Sequence, residues 1–451
     1  MSELLVNSGA RHWLFAGTAI RMAEIMRLNK DFHQKHSLRD QEIRRRTFWA
    51  CLLFDRALAY LLAKHRTINV DFVGIAVPGN DVSLAYQEET RGVTLDNLAA
   101  QQRPSDLGII PYLIKSVCLW SDMVDFVVYS RRRLDWYPPT DPRSSFFIHN
   151  EALRTWLDTM PPSLRWSAEN YRNQRDLGHS RAFVAMQFLL HSASCAAHQC
   201  YLPHLTVYTK LVDLVDAAGW SYLHRDKSLI KPCVAGALQV GEMLSHLIDD
   251  EDDRSSLQTV WVASSIRIAA NTLLWLQYAG DKEFADDETV QQAKHYFDLI
   301  RKLMTFWAPE WKAAKQWLAA LDVMNDLYKA AYLGEVNENI LVGQGGSSSS
   351  IADTTAAESP HCDKDDEDED GANDFRPQPG DGYPSHVSLP NLQASVKFAT
   401  GDTSAKSISV LSIWLQLSGG WPYGFTGAES VFESPGGIQG DFGATISERS
   451  T

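Results

Sequence analysis

Apolar residues recur at helical spacing through most of the first 333 positions. From 37 to 62, Trp49, Leu52, Leu53, Arg56, Ala57 and Tyr60 lie at i, i+3, i+4, i+7, i+8 and i+11, one face of a helix entering a core. Ser37 is placed to cap it, with Asp40 standing in for the glutamate of a capping box. A β-branched, Pro-terminated loop follows over 67–78, and a polar loop over 82–105. Helical patterning returns over 107–129, with Pro111 tolerated in the first turn. Arg131, Arg132 and Arg133 suit that helix's C-terminus, before a stop at Trp136-Tyr137-Pro138-Pro139. Further helices are predicted over 146–156, 179–202, 228–247, 255–279 and 286–307. Residues 255–279 are apolar nearly all round, which marks a central helix, and Gly280 closes it. Pro309 restarts the chain at a first-turn position, and Trp311, Ala314, Leu318, Leu321 and Leu327 trace a last core stripe. No stretch carries a convincing strand period. The fold class is all-α: an irregular multi-helix domain of about nine helices, residues 1–333.

From 334 the pattern stops. Gly343-Gln344-Gly345-Gly346 leads into Ser347–Ser350, and seven acids fall among the eight residues 363–370. Such a segment buries too little apolar surface to fold, so 334–451 is expected to be a disordered acidic tail. One island interrupts it near 408–425: Val410, Leu411, Ile413, Trp414 and Leu415, with Trp421, Tyr423 and Phe425 behind. Apolar and aromatic residues beside acids fit an activation segment that docks into a coactivator groove, or a tail with chance aromatics.

Charge sharpens this division. The net charge of −14 splits into −13 for residues 334–451, with 18 acids and 5 Lys/Arg, and −1 for the rest. A neutral body creates no field that draws in nucleic acid, so no direct nucleic-acid contact is expected from this chain alone. Glu3, Arg11 and His12 interrupt any signal-peptide core, and Arg267 breaks the longest apolar run, so no membrane partner is expected. Six scattered cysteines read as reduced core thiols.

Four features invite a chemical reading. Asp55 sits inside an apolar run, where a lone charge is costly. An ion pair with an arginine of a neighbouring helix, Arg21 or Arg27, is expected, and no second acid or histidine beside it suggests a catalytic role. Arg44, Arg45 and Arg46 point in three directions about 100° apart, so they form no single phosphate-binding face. Structural pairing and solvent exposure are expected instead. His191, Cys195 and His198 share one helix face, with Cys200 and His204 nearby, but a zinc site seldom draws every ligand from one helix. Core packing is the expectation. The run Asp249-Asp250-Glu251-Asp252-Asp253 fits the magnesium motif of an all-helical isoprenoid enzyme, which is the alternative function. Its partner metal motif is missing downstream, and a solvated loop is the expected reading.

The stretch from Arg44 through Asp55 carries a resemblance. An acid, the Arg-Arg-Arg-x-Phe-Trp run of Arg44, Arg45, Arg46, Phe48 and Trp49, then Asp55 six residues after the tryptophan, is similar to the middle-homology regulatory domain of fungal transcription factors. The preceding segment from Gly9 to Asp31 resembles that family's helix ending in Gly-Leu-His-x-Asp, with Met26-Arg27-Leu28-Asn29 where the family has Leu-Gly-Leu-His. After the signature helix, Ala63-Lys64-His65-Arg66 stands where the family has Gly-Arg-Pro. Trp156, Met160, Pro161 and Leu164 match a later family element, and His191 and Pro203 the one after. The resemblance covers residues 9–333. It implies a transcription regulator acting in the nucleus, with other transcription factor subunits or coactivators as partners and a homo- or heterodimer as an option. The signature residues are then structural, with no catalytic role. The family's binuclear zinc cluster needs Cys-x2-Cys pairs, and none occurs here, so no cofactor is expected in this chain. DNA contact would come from a zinc cluster outside this sequence or from a partner. The family has helices before its Gly-containing first segment, so the domain is expected to begin partway through.

Overall fold

The computed structural model describes residues 10–31, 36–62, 64–86, 92–98, 107–128, 135, 137–199, 201–202, 227–278 and 285–333. Among these are twelve α-helices and no strand. They are α1 (Ala10–Ile25), α2 (Leu38–Leu61), α3 (Asp81–Tyr86), α4 (Ile110–Val128), α5 (Ser145–Thr159), α6 (Ala168–Asp176), α7 (Ser180–Gln199), α8 (Lys227–Leu247), α9 (Glu251–Ser256), α10 (Val260–Tyr278), α11 (Asp287–Trp307) and α12 (Lys312–Tyr332). One isolated parallel bridge joins Lys30 to Gly74.

The starts of these helices follow local chemistry. The Ser37 hydroxyl accepts the Asp40 amide at 3.1 Å and donates to its carboxylate at 2.7 Å. Ser144, Ser167 and Asp286 cap α5, α6 and α11 by the same means. Pro111 sits in the first turn of α4, where a missing N–H costs nothing, whereas Pro232 is the sixth residue of α8 and lies inside the helix.

α7 and α10 make the centre. α7 packs against α4, α5, α6, α8 and α10, while α10 also contacts α8, α11 and α12. α10 is buried on every face, as its sequence predicts, and Arg267 is buried with it. The α7–α8 crossing is close because Gly236 has no side chain: a Cβ there would lie 2.6 Å from the His191 carbonyl oxygen. α1 and α2 pack together on one side, and α2 meets the centre through α4. Trp120 bridges them, edge-on to Tyr60 of α2 and to Trp261 of α10.

Three short helices depart from the sequence expectation of about nine. α3 lies in the stretch read as loop. α6 is polar, burying only Tyr171 and Gln174, so it shows almost no apolar period. α9 occupies the acidic run read as solvated loop. Pro309 falls in the turn before α12, which begins three residues later than the sequence suggests. Among the described residues no helix is long and apolar enough to cross a membrane. Residues 131–133, Trp136, Gly280 and the tail 334–451 lie outside the described residues.

Candidate functional site

The signature residues of α2 act together to hold the loop from 64 to 81 against the helix. Asp55 does so from its buried position. Its carboxylate accepts the backbone N–H of Thr67 at 2.9 Å and of Ile68 at 3.0 Å. Its charge partner is Arg56, the next residue, at 2.5 Å. This corrects the expectation of Arg21 or Arg27 on another helix. The arginine of the core face turns back to its neighbour, and its Nη2 also donates to the Ile68 carbonyl at 2.8 Å. Burial pulls the Arg56 guanidinium below its ordinary range, and the Asp55 charge works against that fall.

The three arginines diverge, as helix geometry requires. Arg44 donates to the carbonyls of Met26 and Arg27 at the end of α1, at 2.9 and 3.2 Å. Arg45 is buried and binds Asp31 at 3.1 Å, whose other oxygen accepts the Ala76 amide at 2.9 Å. Arg46 reaches Glu42 at 2.8 Å, Asp81 at 2.6 Å and the Gly79 carbonyl at 3.0 Å. Partial burial opposes the Arg46 charge, but hydrogen bonds to Glu42 and Asp81 hold its pKa above the ordinary arginine value. Structural pairing is thus what the triplet does, and the three form no common basic face. Phe48 and Trp49 are buried, and the Trp49 indole donates to the Ala76 carbonyl at 2.8 Å.

Several members of this clamp were not singled out from sequence. Glu42 binds Arg46 and accepts the Gly79 amide at 3.0 Å. Its place four residues before Arg46 was the available signal. Arg66 pairs with Asp122 and with Asp125, the latter at 2.6 Å, so the loop is also tied to α4. Tyr60 accepts from both Nε and Nη2 of Arg267, the Nε bond at 3.1 Å, across 207 residues of sequence. No local pattern could reveal those links. Arg27 has φ 51°, the left-handed conformation that glycine adopts freely, at the position where the resembled family carries glycine. Beside the clamp, between α1 and α2, a cavity of about 220 Å³ is lined by Trp13, Leu14, Ile20 and Leu58, with Arg21 and Asp55 as its charged members.

The α7 cluster is core. Cys195 and His198 are buried; the Cys195 sulfur lies 3.2 Å from the Thr272 hydroxyl and 3.8 Å from the Cys233 sulfur. The His198 Nδ1 lies 2.8 Å from the Ser194 carbonyl oxygen, and its ring meets Phe146 edge-on. Burial pushes the His191 pKa down to about 4 and the Cys118 thiol up to about 11. Cys200 and His204 lie outside the described residues, and among these no group of three or more His, Cys, Asp or Glu is placed to hold a metal.

The acidic run 249–253 is not a loop of free carboxylates. Asp250 caps α9 through the amides of Asp252 and Asp253, at 2.9 and 3.1 Å. Asp253 accepts from the Tyr171 hydroxyl at 2.7 Å and from Arg175 at 2.9 Å. Burial and the Asp253 charge push the Tyr171 hydroxyl up to about 12. Asp249 pairs with Lys302 at 2.9 Å. The magnesium reading needs carboxylates converging on one point, and these three diverge into a cap and two separate ties.

This all-helical domain uses its most arginine-rich helix to clamp its own loop. Residues 1–158 match the fungal specific transcription factor domain. An uncharacterized transcriptional regulatory protein of Schizosaccharomyces pombe is 28% identical over 204 residues, 40% of this chain and 21% of that protein. The Zn(2)-C6 fungal-type transcription factor FTF1c of Fusarium oxysporum f. sp. lycopersici is 26% identical over 202 residues, 40% of this chain and 22% of its own length. A second uncharacterized transcriptional regulatory protein of Schizosaccharomyces pombe is 22% identical over 345 residues, 70% of this chain and 40% of that protein. The chain thus matches between a fifth and two fifths of the length of these relatives. No solved structure matches.

Proposed function

We propose that this chain is the regulatory part of a transcription regulator that works in the nucleus through protein partners. The observation that carries the reading is the clamp of Arg44, Arg45, Arg46, Trp49 and Asp55, which lies within the family domain of residues 1–158. In this reading DNA is reached through a zinc cluster outside the chain or through a partner subunit, and the chain itself holds no zinc. The acidic tail supplies the output, with the apolar segment near 408–425 binding a coactivator.

The test is a reporter measurement with the full chain fused to an unrelated DNA-binding domain. Transcription above the DNA-binding domain alone is expected, and deletion of 408–425 lowers it while the protein level stays constant. A fusion that accumulates in the nucleus and neither raises nor lowers transcription refutes the regulatory reading.

A further inference from the structure

α1 shows the solvent an apolar face. Inward, Ala16, Ile20 and Ala23 pack into the core. Outward, Leu14 is 66% exposed, Phe15 72%, Met22 57% and Ile25 81%, with Met26 of the following turn at 56%. Ala19 and Thr18 lie among them and are exposed as well. At 100° per residue these seven positions cover an arc of about 140°. Among the described charged side chains of α1, Arg21 and Glu24 fall outside that arc. The five large side chains expose roughly 600 Å², at the upper end of the largest patch found on a typical monomer.

Two arguments identify what covers it. One is area: two such faces pressed together bury roughly 1,200 Å², the lower bound for a specific, stable interface. The other is the order of sizes. Phe15, Ala19, Met22 and Met26 are spaced 4, 3, 4, the seam of a helix pair. In an antiparallel pair about a two-fold axis, Ala19 of one copy faces Met22 of the other, twice over. Phe15 then faces Met26, a sulfur–aromatic contact. The small residue receives the large one at both symmetric places. A parallel pair would set Ala19 against Ala19 and leave a hole.

We infer that α1 is a self-association helix: two copies of the chain pair through Phe15, Ala19, Met22 and Met26, antiparallel across a two-fold axis, with Leu14 and Ile25 at the edges. The inference does not depend on the transcriptional reading, and its failure would leave that reading standing.

The experiment is sedimentation of the full chain over a concentration series, beside the double variant Phe15→Glu/Ile25→Glu. Both positions are exposed in the isolated chain, so helix content and thermal midpoint should hold. Self-association should weaken by roughly 100-fold or more, because Phe15→Glu buries a charge without a partner in the apolar seam and Ile25→Glu sets a second charge at its edge. As a second readout, Ala19→Cys treated with a short bis-maleimide should yield a peptide joining position 19 to position 19 of the second copy. A chain monomeric at every concentration overturns the inference. So does a dimer that both glutamates leave unchanged, or one that gives no such crosslinked peptide.

Discussion

Asp55 concentrates the chemistry of the clamp in one side chain. It is buried, it carries the charge that matches Arg56, and it satisfies two loop amides. Removing one member of a buried pair strands the other, so Asp55→Ala should destabilise the chain by about 3–5 kcal/mol in urea unfolding followed by tryptophan fluorescence. Adding Arg56→Leu to that variant should return part of the loss, because the stranded charge goes too. A double variant no more stable than Asp55→Ala alone would mean that the loop amides, not the ion pair, dominate. Asp55 shows what a sequence reading reaches at this scale. An acid in an apolar run must be paired, and that follows from charge alone. Adjacent residues on a helix point about 100° apart, which directs the expectation to an arginine on another helix. That rule concerns Cβ directions, and a long guanidinium arm folds back past it.

Among the elements, the long amphipathic helices were legible because burial of one face imposes a period. The three short ones were not. α6 buries two side chains, and α3 and α9 are six residues each, too short for a period to repeat. What fixes α9 is Asp250 as a cap, and a run of acids hides which of them caps. Packing between elements adds constraints with no sequence period at all. Gly236 is the clearest. Alanine gains about 1 kcal/mol of helix propensity over glycine in a helix interior. Here its Cβ would meet the backbone oxygen of His191, which cannot rotate away. Gly236→Ala should therefore lower stability by about 1–3 kcal/mol, the cost of overpacking. A rise in thermal midpoint would show that α7 and α8 can separate without penalty.

Across the whole molecule the charges sort into internal ties and an acidic tail. Arg44, Arg45, Arg46, Arg56, Arg66 and Arg267 all bind groups of the chain itself. With residues 1–333 near neutral and 334–451 at −13, the chain carries no net positive charge to draw in phosphates. The purified full chain should leave the fluorescence anisotropy of a labelled DNA duplex unchanged at physiological salt. Binding that weakens with a steep salt slope would contradict this. The all-helical class of the described residues was readable from the sequence pattern. The ties between Tyr60 and Arg267, and between Trp120 and Trp261, were not, because nothing local relates positions so far apart.

Those distant ties also set a timetable for synthesis. Tyr60 leaves the ribosome about 200 residues before the arginine it must meet. At about 5–20 residues per second that wait lasts roughly 10–40 s. During it the apolar faces of α2 and α4 exist without α10, the wall they are built to rest on. The most recognisable helix in the protein is made early and completed late. In that interval chaperones, not the protein's own core, must keep it from other chains.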